Sequence, residues 1–230
     1  RFVSWPTLVS FAIAGAFLAF LVARFDVNLG DTWAKLRGSN PWFILLAYLS
    51  FYAVLPFRGF RWRILIKNSR PRDSEASEPL PSIWRFSGYI LLSMSANSVT
   101  PFRLGDAYRG YLLSEDTKRG FAYSIGTILA ERVLDVLTVF LLLAVTALLL
   151  SLRAMSATSL WVLVIAFALS AAMVALLLAM TLFQRRMLRF LPSRLADAYE
   201  RFYQGTIGSF RMSVWRWILL LVVSLAIWLA

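Results

Sequence analysis

The residues Ser95-Ala96-Asn97-Ser98-Val99-Thr100-Pro101-Phe102-Arg103-Leu104-Gly105-Asp106-Ala107-Tyr108-Arg109-Gly110 interrupt an apolar stretch that runs from Ile83 to Leu113. Pro101 lacks an N–H and pushes Thr100 out of the helical region, so no helix runs smoothly through this point. Gly105 permits a tight bend. Asn97, Ser98 and Thr100 can satisfy backbone groups that the break frees. A second half-helix is expected near Gly105, with Asp106 in its first turn, where a carboxylate suits the positive end of the helix dipole. Ile83 to Leu113 is about 31 residues, whereas two full crossings of ~30 Å of hydrocarbon need roughly 40. The stretch therefore reads as a re-entrant broken-helix hairpin over 83–113, two half-helices meeting partway through a membrane. Non-helical backbone at that depth is tolerated where protein or a watery cavity covers it. Broken helices of this kind hold ions and charged substrates in many transporters.

The rest of the 230-residue chain agrees with a membrane setting. It is 60% hydrophobic and 16% charged, with a mean hydropathy of +0.69. Soluble domains carry roughly 25% charged residues, so the fold class is all-α, a polytopic transmembrane helical bundle. Disorder is excluded by the hydrophobicity. The absence of Cys and His excludes a disulfide scaffold, Cys-based zinc sites, serine–histidine triads and His-Glu-x-x-His peptidases. No cofactor or metal is expected. The net charge of +12 would suggest nucleic acid in a soluble protein, but here the basic residues cluster at the ends of apolar runs, where they meet anionic head groups.

Spans are expected at about 6–23, 41–57, 123–151, 158–183 and 215–230. The run from Pro6 is too long, and too poor in a cleavage site, for a signal peptide. Pro41 follows Asn40, which can cap the second span. The chain opens at Arg1 and stops at Ala230 inside an apolar run, so it reads as a truncated single domain over 1–230. Arg58 to Arg85 and Arg185 to Arg216 hold seven basic residues each, against three in Arg24 to Asn40 and one in 151–157. The positive-inside rule puts the rich segments and the N-terminus in the cytoplasm, as in a multi-pass protein of the plasma (inner) membrane. Asn68 to Ser82 is a polar, proline-rich loop. The segment 185–211 alternates basic and apolar residues and suits an interfacial amphipathic helix broken at Pro192; a cytoplasmic helical connector is the alternative. Trp5, Trp33, Trp42, Trp62, Trp84, Trp161, Trp215 and Trp217 read as an aromatic belt near span ends, and Tyr108, Tyr111 and Tyr123 as interfacial or packing residues.

The third long span carries Glu131, Arg132 and Asp135 in apolar sequence. Counted from Phe121 at ~1.5 Å per residue, Glu131 lies about 15 Å along and Asp135 about 21 Å, near the bilayer centre. An ionised group there costs at least ~2.5–3.5 kcal/mol. Glu131 and Asp135 share a face, Arg132 and Asp135 can pair, and Glu131 is left as an extra negative charge for which Arg103 or Arg109 is the natural partner. Such pairs can simply lock helices together, an alternative that stays open for each residue taken alone. The combination of a break, arginines and an acidic trio at one depth makes a plausible site for a lipid phosphate, which guanidinium binds bidentately.

Asn97 to Arg109 followed by Glu131-Arg132-Val133-Leu134-Asp135 resembles the lysylphosphatidylglycerol synthase transmembrane family, whose members are also called flippase-like domain proteins. The family pattern N-x-x-x-P-x-R-x-G-[ED]-x-x-R, then E-R-x-x-D, is met at every fixed position, with Asp106 at an acidic site where Glu is commoner. The likeness is sharp over 97–135 and topological elsewhere, and family members are usually longer. The resemblance implies a domain that moves or holds amphipathic lipids between leaflets, with Asn97, Arg103, Asp106, Arg109, Glu131, Arg132 and Asp135 along the head-group path. It does not imply the synthase reaction, whose domain lies outside these residues.

A non-enzymatic lipid translocase is the first expectation. Its partner is a membrane lipid: an anionic or aminoacylated phospholipid, or an isoprenoid-linked one such as a polyprenyl phosphate. A homo-oligomer and a cytoplasmic enzyme partner are compatible with it; nucleic acid is not expected. No G-x-x-x-x-G-K-[ST] loop occurs, which leaves facilitated movement or ion coupling. A membrane-embedded enzyme acting on a lipid-linked phosphate or sugar, and a membrane anchor for a lipid-modifying enzyme, are the alternatives. Against the enzyme, divalent cations want several oxygen ligands, and Arg132 sits amid the acids.

Overall fold

A computed structural model describes residues 12, 15–16, 20, 29–69, 80–100, 104–149 and 157–229. Most of the span expected at 6–23 lies outside them, as do residues 70–79 of the proline-rich loop and Pro101, Phe102 and Arg103. Among the described residues all regular structure is helical: α1 Leu29–Gly38, α2 Pro41–Asn68, α3 Ile83–Val99, α4 Leu104–Thr117, α5 Phe121–Leu149, α6 Ala157–Phe190, α7 Ser193–Ser209 and α8 Val214–Leu229. The chain divides into two compact units at Leu49 and Ser50. The first holds α1, where Arg37 lies over the Trp33 ring, and the start of α2. The second holds the rest of α2 and all of α3 to α8.

Local signals set the helix ends. Asn40 Oδ1 accepts from the Trp42 N–H at 3.0 Å, and Pro41 occupies the first helical position, where a missing N–H costs nothing. Ser82 caps α3 by accepting from the Arg85 N–H. The helix expected over 41–57 does not stop at Phe57. It tolerates Pro56 and runs to Asn68, because Leu55, Trp62, Leu65 and Ile66 keep one apolar face in helical register and all are buried. Among the described residues three helices (α2, α5 and 160–190 of α6) are long and apolar enough to cross a membrane, or four spans if α7 and α8, bent by 87°, count as one.

The expected hairpin is present as α3 and α4, antiparallel legs on either side of residues 100–103. At ~1.5 Å per residue their 17 and 14 residues reach about 26 and 21 Å, short of the ~30 Å of hydrocarbon. The second leg runs to Thr117 rather than Leu113. Gly105 lets the legs touch: a Cβ there would fall 2.1 Å from the Ser93 carbonyl oxygen. At the far end Asp116 pairs with Arg85 at 2.7 Å and accepts from the Tyr89 hydroxyl.

Helix α5 packs against α4, α6, α7 and α8. It runs antiparallel to α2, as the pairs Ser69–Tyr123, Trp62–Thr127 and Arg61–Glu131 show. One apolar cluster joins α2, α3, α4 and α5 through Leu55, Trp62, Phe86, Ile90, Leu113 and Ile128; a second joins α2, α5 and α8 through Leu65, Leu134 and Leu220. The segment expected along the interface, 185–211, divides in two. Residues 185–190 complete α6, and beyond the Pro192 break α7 buries Tyr203, Gly205, Thr206 and Ile207. Gly126 and Gly205 bring α5 and α7 into backbone contact, since a Cβ on either would fall 2.3 or 2.2 Å from a facing carbonyl oxygen. By contrast α6 exposes Trp161, Ile165, Phe167 and Leu182, as a lipid-facing helix would.

Candidate functional site

The ionised groups of α5 meet partners from two other helices. Glu131 Oε1 accepts from Arg61 Nη2 of α2 at 3.2 Å, and its Oε2 from Arg109 Nη1 of α4 at 2.9 Å. Asp135 Oδ1 accepts from the same Arg61 Nη2 at 2.7 Å and its Oδ2 from Arg132 Nη1 at 3.1 Å. Asp106 Oδ1 accepts from Ser93 Oγ at 3.2 Å and Arg132 Nη2 at 3.4 Å, and lies 3.3 Å from Arg109 Nε. Arg61 Nη1 donates to Ser224 Oγ of α8 at 3.1 Å. Thus Asp106, Arg109, Glu131, Arg132 and Asp135, predicted as one site, form one network.

The network is graded from dry to open. Arg61, Arg109 and Glu131 are at most 1% exposed, so their charges are held by one another in a medium where leaving one unpaired costs several kcal/mol. The Asp135, Asp106 and Arg132 side chains are 15%, 20% and 32% exposed. Trp62, expected in the aromatic belt, is instead fully buried: its indole N–H donates to Thr127 Oγ1, and its ring lies 5.0 Å from the Arg109 guanidinium carbon, a cation–π contact. Trp33, Trp42, Trp84, Trp161 and Trp215 are exposed. Tyr108 and Tyr111 are exposed as well, whereas Tyr123 is buried and bonded to Ser69.

Asn97 has a different place. Its Oδ1 accepts from the Gly105 N–H at 2.8 Å, so it caps the first turn of α4 and holds the break in shape rather than joining the ion pairs. Arg103 lies outside the described residues. Glu131 does not stand as an extra negative charge, because two guanidiniums meet it. Arg61 escaped notice because α2 was expected to end at Phe57, which turned Arg61 into one of the loop's basic residues. The readable signal was the apolar register of Leu55, Trp62, Leu65 and Ile66, which carries the helix past that point.

Arg58, one turn before Arg61, lies within electrostatic range of Glu131, Asp135, Arg61 and Arg132. It makes no ion pair among the described residues, and its buried Nε has no hydrogen-bond partner, as is also true of the Nε atoms of Arg61, Arg109 and Arg132. Beside the network an apolar cleft of about 90 Å³ opens between α5 and α8, lined by Leu134, Leu137 and Leu141 on one side and Leu221 and Ser224 on the other. Ser224 therefore belongs to both the cleft and the charged network. Among the described residues no group of carboxylates is placed to hold a metal ion; each acid of the network faces guanidinium.

The family model described as the lysylphosphatidylglycerol synthase TM region matches residues 7–230. A UPF0104 membrane protein of Methanocaldococcus jannaschii is 43% identical over 54 residues, 24% of this chain and 23% of that protein. One from Methanothermobacter thermautotrophicus is 27% identical over 130 residues, 56% of this chain and 34% of that protein. The glycosyltransferase AglD of Haloferax volcanii is 24% identical over 122 residues, 53% of this chain and 18% of that protein. The chain thus spans about a third or less of the length of these relatives. No solved structure matches it.

Proposed function

Because the chain belongs to the lysylphosphatidylglycerol synthase transmembrane family, we propose that it is an integral membrane lipid translocase that shelters the head group of a phospholipid or polyprenyl-phosphate-type amphiphile while it passes between leaflets. One observation carries this reading: the ion-pair network is partly open at Asp106, Arg132 and Asp135, and through Ser224, bonded to its buried Arg61, it adjoins an apolar cleft. An amphiphile needs such a pair of surroundings, charge for its head and hydrocarbon for its chain. The chain makes and breaks no covalent bond in this reading. Its acids are already occupied by guanidiniums and are poor metal ligands or general bases in that state.

The likeness to a protein named a glycosyltransferase supports a second reading, in which this membrane domain serves an enzyme that handles lipid-linked sugars. The two differ in what happens to a supplied lipid. Purified protein in phosphatidylcholine vesicles that carry fluorescent phosphatidylglycerol in the inner leaflet, exposed to an impermeant quencher, tests the first. Wild-type protein makes inner-leaflet label accessible, and Arg132→Met removes that activity while the lipid stays chemically unchanged. Equal rates for Arg132→Met, wild-type and protein-free vesicles would refute the translocase reading.

A further inference from the structure

Resting on the lipid-site reading, we infer that the head-group site is entered from the hairpin-tip side of the membrane alone, and that an apolar floor headed by Trp62 closes it to the opposite side. The hairpin gives the bundle two ends: a tip, where α3 ends at Val99 and α4 starts at Leu104, and a base, where Arg85 pairs with Asp116. In each helix of the network, exposure rises toward the tip. On α4 Arg109 is sealed, while Asp106, one turn nearer the tip, is partly open. On α5 Glu131 is sealed, while Asp135, one turn further on, is partly open. On α2, which runs the other way, Arg61 is sealed and Arg58 half-buried. Arg132 pairs with both open acids, and the last turns of α3 expose Ser95 and Ser98. Ionised groups left partly open at this depth call for water, because bare contact with hydrocarbon is costly for them.

Toward the base the surroundings become dry at once. Trp62, Phe86, Leu113, Ser124 and Thr127 are fully buried, and Tyr123 and Ile128 nearly so. From Glu131 back to Tyr123, α5 runs eight residues with no charged side chain between, which at ~1.5 Å each is about 12 Å. Trp62 is the part of this floor that touches the charged network. Its ring lies 5.0 Å from the Arg109 guanidinium carbon, its indole N–H donates to Thr127 Oγ1 at 3.1 Å, and Phe86 meets it edge-on at 5.1 Å. One side chain of α2 thus supports the guanidinium of α4 and is fixed to α3 and α5. A head group meets water and charge on one side of Arg109 and Glu131, and close-packed rings with no room for water on the other. For a lipid, the tip side means the leaflet that borders residues 136–149 of α5.

The chain has no cysteine, so introduced thiols report alone. Ser98→Cys marks the tip and Glu115→Cys the base, both at exposed positions. The protein carrying both, in sealed phosphatidylcholine vesicles, is treated from outside with the small, impermeant reagent 2-sulfonatoethyl methanethiosulfonate and weighed intact. Every molecule should gain a single adduct, whichever way it is inserted, and a second only after the vesicles are lysed. Molecules with two adducts beside molecules with none would put both thiols on one side. Single and double adducts together would mean that Ser98 is reached from both sides, and a Ser98 thiol silent even after lysis would mean that it is reached from neither; each of these overturns one-sided entry. Ser124→Cys, a near-isosteric change in the floor, should react at least about tenfold more slowly than Glu115→Cys from either side, and equal rates overturn the floor. If Ser124→Cys does not fold, the doubly substituted protein decides by itself. Dioctanoyl phosphatidylglycerol at roughly twice its Kd should slow the Ser98 thiol about threefold by occupancy and leave Glu115→Cys unchanged. Equal protection by inorganic phosphate would make free phosphate the visitor. One-sided reaction without lipid protection refutes the lipid-site reading alone; lipid protection with two-sided reaction refutes one-sided entry alone.

Discussion

Replacing Arg61 by Met separates the two layers of the charged network. Arg61 is completely buried and serves Glu131, Asp135 and Ser224 at once. Met nearly fills its volume but offers none of those donors. Glu131 would keep Arg109, at 2.9 Å, and Asp135 would keep Arg132, at 3.1 Å. Both acids would nevertheless lose their shared counter-charge in a dry interior. Removing one partner of a buried ion pair costs about 3–5 kcal/mol, which is roughly 150-fold or more in the folding constant. Arg132→Met meets different physics, because its side chain is 32% exposed and partial solvation reduces what its pairs contribute, to about 1 kcal/mol or less. Unfolding by sodium dodecyl sulfate in mixed micelles, followed by circular dichroism, measures both. Arg61→Met should lower the unfolding free energy by at least ~3 kcal/mol and Arg132→Met by no more than ~1. Equal losses would refute the division into a sealed lock and an open rim.

Two further substitutions test the hairpin. Gly105→Ala puts a Cβ 2.1 Å from the Ser93 carbonyl oxygen, so the legs must part and carry Asp106 away from Ser93; a loss of about 1–3 kcal/mol is expected, read as a lower thermal midpoint with slowed lipid transfer. Asn97→Ala removes the cap on the Gly105 N–H and should cost about 1 kcal/mol, while Asn97→Asp keeps the acceptor and most of the stability; equal midpoints for the two variants would remove Asn97 from that role.

The hairpin was legible because its causes are local. Pro101 ends a helix whatever surrounds it, and the length of the stretch decides that two full crossings do not fit. Depth narrowed the partner of Glu131 to Arg103 or Arg109, since an intramembrane acid needs a cation within reach, and the structure shows Arg109 in that place. Arg61 was not legible, because its place depends on where α2 ends, and the charge of Arg58 and Arg61 argued for a loop while Trp62, Leu65 and Ile66 argued for a helix. Burial decided, since Glu131 and Asp135 were waiting on α5. Trp62 was misread for a related reason: a tryptophan near the end of an assumed span reads as a belt residue, and moving the helix end by eleven residues puts it under Arg109. The seam at Gly126 and Gly205 left only two glycines in sequence, and nothing local says which glycines will face each other.

A membrane offers helices no hydrophobic gain from associating, because lipid tails are as apolar as leucine; close packing and polar contacts must hold them together. The sealed group of Arg61, Arg109 and Glu131 meets that need by joining α2, α4 and α5, with Ser224 bringing in α8. Those three charges are explained by architecture, and their presence at depth is no argument for a ligand. The rim is another matter. Asp106, Arg132 and Asp135 are paired yet partly open. A fold that needed charge only as a fastener would gain by closing such a rim with leucine, as buried ion pairs are often replaced by apolar residues without loss of stability. The lock therefore accounts for the stability of the bundle, and the open rim is where the proposed translocase reading places the lipid head group.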